Sequence, residues 1–251
     1  MELELSGKTA LVTGSSRGIG RAIAEALCAE GCRVAVNARN KDGLQACASA
    51  IGAAVAIAGD VADAGEARRV VDETVRNLGG LDILVCNVGS GRSVAPGLET
   101  PEEWQRVFAL NLWSTTNTVE AARDALSAAR GVIVCVSSIC GLEVVPGAPI
   151  TYSAAKAALH AYVRGIARHL GTQGVRINAV APGNILFEGS VWSSKLAKDA
   201  DAIQTMLVRD VALARLGAPQ DVADLVAYLA SPRTGFATGG VWTLDGGQVH
   251  S

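Results

Sequence analysis

Thr13-Gly14-Ser15-Ser16-Arg17-Gly18-Ile19-Gly20 separates a β-branched apolar run, 8–13, from an Ala-rich stretch, 18–30. A strand that ends on glycine and re-enters at once as a helix gathers free backbone N–H groups at one point. The helix N-terminus adds positive potential, and the missing side chains let an anion come close. The spacing is G-x-x-x-G-x-G rather than the commoner G-x-G-x-x-G. Glycine also serves ordinary turns, so the placement between strand and helix gives this one its weight. Gly14, Ser16, Arg17, Gly18, Ile19 and Gly20 are therefore candidate contacts to the pyrophosphate of a dinucleotide.

The same alternation continues along the chain. Further strands are expected at 33–37, 54–59, 82–86, 131–136, 176–180 and 241–244. Helices are expected from about 42 and at 64–78, 102–128, 151–170 and 219–230, with Pro101 at a helix start. Short apolar strands separated by helices predict a parallel sheet covered on both faces, and right-handed crossovers make it doubly wound. The expected fold is α/β, a Rossmann-type sheet of about seven strands in a single domain over 1–251. Ligands of such sheets bind beyond the carboxyl ends of the strands. The segment from 182 to about 200 reads as an irregular loop carrying Phe187 and Trp192; a substrate-covering role is expected of it, reaching to about 205.

Bulk properties narrow the classes. The 251 residues are 49% hydrophobic and carry a formal net charge of −2, which gives no electrostatic case for nucleic acid or an anionic membrane. The six cysteines form no C-x-x-C pair and read as buried thiols of a reducing compartment. The three histidines are scattered, so no metal site is expected. The acidic start, Met1 to Leu5, lacks the features of a signal peptide, and a soluble cytoplasmic placement is expected.

The second strand bears on the cofactor. An NAD site usually has an acid about 20 residues beyond the turn, holding the ribose 2′-hydroxyl. Here 33–40 contains no acid, and Asn37 stands in that place. Arg39 follows, and Arg17 lies in the turn. Two guanidinium groups suit a 2′-phosphate, so NADP(H) is expected over NAD(H). Asp60, after the third strand, is a candidate partner for the adenine amino group. Asn87 and Gly89, after the fourth, line the expected adenosine channel.

Tyr152 and Lys156 stand four residues apart in an expected helix and so share a face. A free phenol titrates near 10, too high for a base at neutral pH. A neighbouring ammonium favours phenolate and lowers that value. Tyr152 can then exchange a proton with a carbonyl or alcohol oxygen. Ser138, after the fifth strand, is placed to orient that oxygen, with Ser137 as the alternative. Asn111 is a candidate to hold Lys156 or a relay water.

Together these residues resemble the short-chain dehydrogenase/reductase family. The match runs from about 7 to 247 and includes Thr13 to Gly20, Asp60-Val61, Asn87-Val88-Gly89, Asn111, Ser138, Tyr152, Lys156, Pro182-Gly183 and Asp245-Gly246-Gly247. The resemblance implies strand order 3-2-1-4-5-6-7 and a catalytic tetrad of Asn111, Ser138, Tyr152 and Lys156. It also implies cofactor contacts from Val61, Pro182, Gly183 and Ile185, with Lys156 on the nicotinamide ribose. This sequence departs from the pattern at Val88, usually alanine, and at Phe187, usually threonine. The Ser138–Tyr152 separation is also one residue longer. Apolar candidate walls favour a hydrophobic ketone or a 3-oxoacyl thioester as substrate. The turn before the sixth strand holds Gln173 where relatives acting on carrier proteins often have a basic residue; Arg130, Arg164 and Arg168 are alternative docking charges. Family members usually form homotetramers through the helices at 102–128 and 151–170 and the last strand. The competing class is a catalytically silent nucleotide sensor of the same fold.

Overall fold

In the computed structural model, which describes residues 2–250, seven strands form one parallel sheet. Met1, the first residue of the acidic start, and Ser251 lie outside the described residues. The strands are β1 (Thr9–Thr13), β2 (Arg33–Ala38), β3 (Val55–Ala58), β4 (Ile83–Cys86), β5 (Val132–Val136), β6 (Arg176–Pro182) and β7 (Val241–Leu244). Their order is β3-β2-β1-β4-β5-β6-β7, all neighbours parallel. The chain therefore winds outward from β1 to β3, then returns to place β4 on the other side of β1. This reversal opens the crevice at the carboxyl ends of β1 and β4.

Alternate residues of each central strand face two separate apolar layers. Ala10, Val12, Val85 and Val134 pack against α1 (Gly18–Ala29), α2 (Lys41–Ile51) and α9 (Pro219–Ala230), through Ile23, Leu27, Leu44, Val222 and Val226. Leu11, Leu84 and Ile133 pack against α3 (Ala64–Leu78), α5 (Ser114–Ala129) and α6 (Ile150–Gly171), through Val70, Val119, Leu126, Leu159 and Val163. Truncating one such side chain to alanine costs about 2–5 kcal/mol. Exposed ion pairs such as Arg209–Asp210 are screened by solvent and add little, so the two apolar layers hold the sheet.

Two expectations about helices are corrected. The span 102–128 is not one α-helix: α4 (Pro101–Phe108) and α5 are joined by a π-helical turn, Ala109–Trp113. Asn111 sits in that turn, and its Nδ2 donates to the Val107 carbonyl at 3.0 Å. The side chain thus occupies the i−4 carbonyl that an α-helical N–H would use, and the ladder widens by one residue. The segment 182–200 is not all irregular either. It contains α7 (Val191–Lys198), and α8 (Ala200–Asp210) follows at once. Ser190 caps α7 by accepting from Ser193 N–H, and Asp199 caps α8 by accepting from Ala202 N–H. No helix is long and apolar enough to cross a membrane among the described residues.

Asp82 ties the two halves of the sheet together ahead of β4. Its Oδ2 accepts from Thr9 N–H at 2.9 Å and Thr9 Oγ1 at 2.8 Å, and its Oδ1 meets Lys8 Nζ at 3.0 Å. Burial alone would raise this carboxyl; the Thr9 bonds and the Lys8 ammonium outweigh it and hold the carboxyl below its ordinary value. A depressed carboxyl stabilises the fold above its unfolded value and loses that contribution as pH falls. Asp82→Ala is expected to lower stability by about 1.5–3 kcal/mol at pH 7. Urea unfolding at several pH values should show the gap to the parent closing as pH drops below about 4.

Candidate active site

The glycine turn leaves β1 at Gly14, which takes a left-handed φ of 64°, and α1 begins at Gly18 with φ 57°. Both values favour glycine. Arg17 precedes α1 as an extended N-cap without a side-chain cap bond, and the first turn has no acid. By contrast α2, α3 and α4 are capped by Asn40, Asp63 and Thr100. The first N–H groups of α1 therefore face the crevice with the positive end of the helix dipole behind them.

Asn87, just beyond β4, braces this turn. Its Nδ2 donates to the Thr13 and Gly14 carbonyls, each at 3.0 Å, while its backbone N–H donates to Thr13 Oγ1 at 3.0 Å. The sequence pointed to Asn87 as a channel wall; its bracing role emerges only when β1 and β4 lie side by side. On the outer side, the Phe187 ring rests on Gly18: a Cβ there would stand 2.6 Å from the ring. Ile19 and Phe187 both pack against the apolar layer of α1. The loop tip beyond Phe187 approaches two arginines. Arg92 Nη2 donates to the Gly189 carbonyl at 3.2 Å, and a Cβ on Gly189 would meet Arg17 Nη1 at 3.1 Å.

At the end of β2, Asn37 is fully buried. It donates to the Ile57 and Gly59 carbonyls at 3.0 and 3.2 Å, and its Oδ1 has no partner in the protein. Exposed Arg39 and half-buried Asp60 stand beside this point, 3.6 Å apart. Such a solvated pair binds weakly, so the Arg39 guanidinium stays available to an anion. Ser16 is half-buried in the turn, and Val61 is buried. On the opposite side Gly183 lies against Asp245, whose Cβ a side chain would meet at 2.8 Å. Pro182 closes β6, and Ile185 is buried and bridges to Gly217. These donors and the glycine cradle fit a phosphate-bearing dinucleotide.

The proton-transfer candidates converge at the carboxyl end of β5. Lys156 is buried and donates from Nζ to the Val136 carbonyl at 3.1 Å. That nitrogen lies 5.8 Å from the centre of the Tyr152 ring. Gly89 lets the group close up: a Cβ there would meet Asn111 Oδ1 at 2.9 Å and Lys156 Nζ at 3.2 Å. Asn111 does not bond to Lys156. Its Oδ1 accepts from Ser90 N–H at 2.9 Å, and its Nδ2 also donates to the Ser90 carbonyl at 3.2 Å. Ser138 faces Tyr152, whereas the Ser137 hydroxyl turns away to His160 at 2.7 Å. Ser93 secures the facing loop, 2.7 Å from both Glu103 Oε1 and Thr151 Oγ1.

The electrostatics differ from the expectation. Burial pushes the Tyr152 phenol up to about 12, against the pull of the Ser138 hydroxyl. Burial likewise pushes the Lys156 ammonium down to about 8. In the protein alone desolvation dominates, and the downward pull on the phenol comes from Ser138 rather than from Lys156 as expected. The phenol is held as an acid at neutral pH.

A family model described as Enoyl-(Acyl carrier protein) reductase matches residues 14–249. The chain belongs to the short-chain dehydrogenase/reductase family. It is 37% identical over 247 residues to a 3-oxoacyl-(acyl-carrier-protein) reductase of Staphylococcus aureus, covering 96% of this chain and 98% of that one. Among solved structures it is similar to the L-sorbose reductase of Gluconobacter frateurii complexed with NADPH and L-sorbose. That likeness has a TM-score of 0.93 at 29% identity and covers 100% of both chains. It is also similar to a 7α-hydroxysteroid dehydrogenase complexed with NADH and 7-oxo glycochenodeoxycholic acid. There the TM-score is 0.90 at 28% identity, over 100% of this chain and 97% of the other. The strand order matches the family expectation, and the chain is an oxidoreductase of this family.

The brace makes a sharp test. A Cβ added at Gly20 would collide with the Gly14 carbonyl oxygen and Asn87 Nδ2. Gly20→Ala is expected to cost about 1–3 kcal/mol and to weaken dinucleotide binding at least tenfold. Gly165, on α6 with open space around it, is the control: Gly165→Ala should be neutral or stabilising by about 0.5–1 kcal/mol. Urea denaturation and nicotinamide fluorescence titration read both quantities.

Proposed function

We propose that the chain is an NADP(H)-dependent oxidoreductase interconverting a ketone and a secondary alcohol, in a single catalytic domain over 1–251 with a substrate loop near 182–205. The observation that carries this reading is the convergence of Ser138, Tyr152 and Lys156 at the end of β5. When bound, the nicotinamide supplies or accepts the hydride. Tyr152 gives its phenolic proton to the carbonyl oxygen in reduction and takes one from the alcohol in oxidation. Ser138 orients that oxygen through its hydroxyl. Lys156 holds the nicotinamide ribose, and solvent restores the proton along this chain of groups. Asn111 sets the loop at Ser90 that faces the reacting oxygen.

Support for NADP(H) comes from Arg17 and Arg39, both exposed beside the adenosine end of the crevice, and from relatives solved with NADPH. The leading substrate is a 3-oxoacyl thioester or another hydrophobic ketone. Tyr152 lies against Gly91, with Ile139 and Trp192 on the candidate walls. Lys195 stacks on Trp192 at 4.4 Å and brings a cation to the loop. A homotetramer is the assembly this reading expects, and exposed Trp113 beside α5 and Tyr228, Phe236 and Trp242 near the β7 edge support it. Arg130, Arg164 and Arg168 are exposed and available to an acidic carrier. A cytoplasmic setting accords with this reading.

Initial rates with NADPH and NADH across ketones and 3-oxoacyl thioesters test the assignment. NADPH is the expected preference, and Arg39→Ala should raise KM for NADPH by about 10- to 100-fold while sparing NADH. Equal losses with both cofactors would sink the 2′-phosphate argument. Tyr152→Phe should cut kcat by about 10²- to 10⁴-fold. The raised phenol gives the pH sign: alcohol oxidation needs phenolate and should rise steadily with pH, whereas reduction should stay level or fall.

A further inference from the structure

Three side chains on one face of α6 grip three consecutive residues at the end of β5. Tyr152 faces the Ser138 hydroxyl. One turn on, Lys156 Nζ donates to the Val136 carbonyl at 3.1 Å. A further turn on, His160 Nε2 lies 2.7 Å from Ser137 Oγ. Positions i, i+4 and i+8 share a helix face, so the helix reads the strand end residue by residue. The first two contacts serve the proposed chemistry; the third has no part in it.

That third contact is enclosed. His160 is 1% exposed and Ser137 6%. Gly141 closes over the ring: a Cβ there would meet the Lys156 and Ala157 backbone at 2.6 and 2.8 Å and His160 Cε1 at 2.8 Å. The Ser137 backbone N–H is held by the Val180 carbonyl of β6 at 2.7 Å, and His160 Nδ1 has no hydrogen-bond partner. Among the described residues Ser137 supplies the side-chain hydrogen bond to the imidazole. Burial, with Arg164 and Lys156 nearby on α6, pushes that ring down to about 4 against the pull of the Gly141 backbone, so it is neutral at physiological pH.

We propose that the Ser137–His160 hydrogen bond is a positioning device that fixes the register of α6 on β5 and thereby the Ser138–Tyr152 contact. His160 is a positioning residue in this account, and the account rests on Tyr152 being the proton donor. The chain has three tyrosines, Tyr152, Tyr162 and Tyr228, so 13Cζ-tyrosine NMR of the whole protein resolves the phenol directly, with Tyr152→Phe as assignment. His160→Leu and Ser137→Ala should each move the Tyr152 resonance toward its position in Ser138→Ala. With a reducible ketone, kcat should fall about 10- to 100-fold, with ketone KM and NADPH affinity within about twofold of the parent. The double variant should be no worse than either single variant, because both remove one bond. His160→Gln, whose amide can donate to the Ser137 hydroxyl, should restore most of the loss.

An unmoved Tyr152 resonance with parent kcat in folded His160→Leu overturns the proposal. Additive losses in the double variant do the same. Should His160→Leu not fold, Ser137→Ala carries the same comparison. Full ketone reduction by Tyr152→Phe would remove the proton-donor reading instead, and the resonance would still decide whether the bond positions the phenol.

Discussion

The side-chain-to-backbone contact between the turn after β1 and the loop after β4 is the constraint on which the crevice depends. Asn87 reaches across to two successive carbonyls of that turn, and no side chain at residue 20 fits beside it. The contact exists because the chain returns to place β4 next to β1, and that neighbouring requires both strands to be apolar on two faces. Once the turn is held, the N-terminus of α1 points its free N–H groups at a fixed place. The same loop then continues through Gly89, which admits Lys156 and Asn111. The proposed anion cradle and proton-transfer group are thus both positioned by one short stretch of β4 and its exit.

The strand and helix pattern was legible because it rests on periodicity, which packing on two faces imposes directly. Strands at 8–13, 33–37 and 131–136 fall within a residue or two of β1, β2 and β5. What escaped depended on side chains competing with the backbone. The π-helical turn arises from Asn111 claiming the Val107 carbonyl, a choice invisible to a hydrophobic pattern. α7 and α8 are short and weakly amphipathic, and their caps, Ser190 and Asp199, were the readable signals that an apolar scan passed over. The Ser137 and Ser138 alternatives were separated only by the packing of α6, which gives one hydroxyl to His160 and the other to Tyr152. Phe187 was legible as a departure, yet its rest on Gly18 needed the fold of the loop.

The proton site shows burial and charge pulling in opposite directions. A four-residue spacing puts an ammonium near a phenol, and charge attraction alone predicts a lowered phenol. The same helix face is buried against β5, so desolvation acts on both groups, raising Tyr152 and lowering Lys156. The protein by itself therefore stores a proton on Tyr152, the form a carbonyl reductase needs. Making the phenolate requires additional positive charge near the ring, and an oxidised nicotinamide carries one. Ser138 is the group in this chain that already pulls the phenol downward. The position of Ser138 relative to α6 then matters more than the Tyr152–Lys156 spacing, because hydrogen bonds are lost over a few tenths of an ångström while a charge at 5.8 Å acts more gradually. The helix face that holds Ser137, Ser138 and Val136 together is, on this argument, the part of the fold where small displacements have the largest chemical effect.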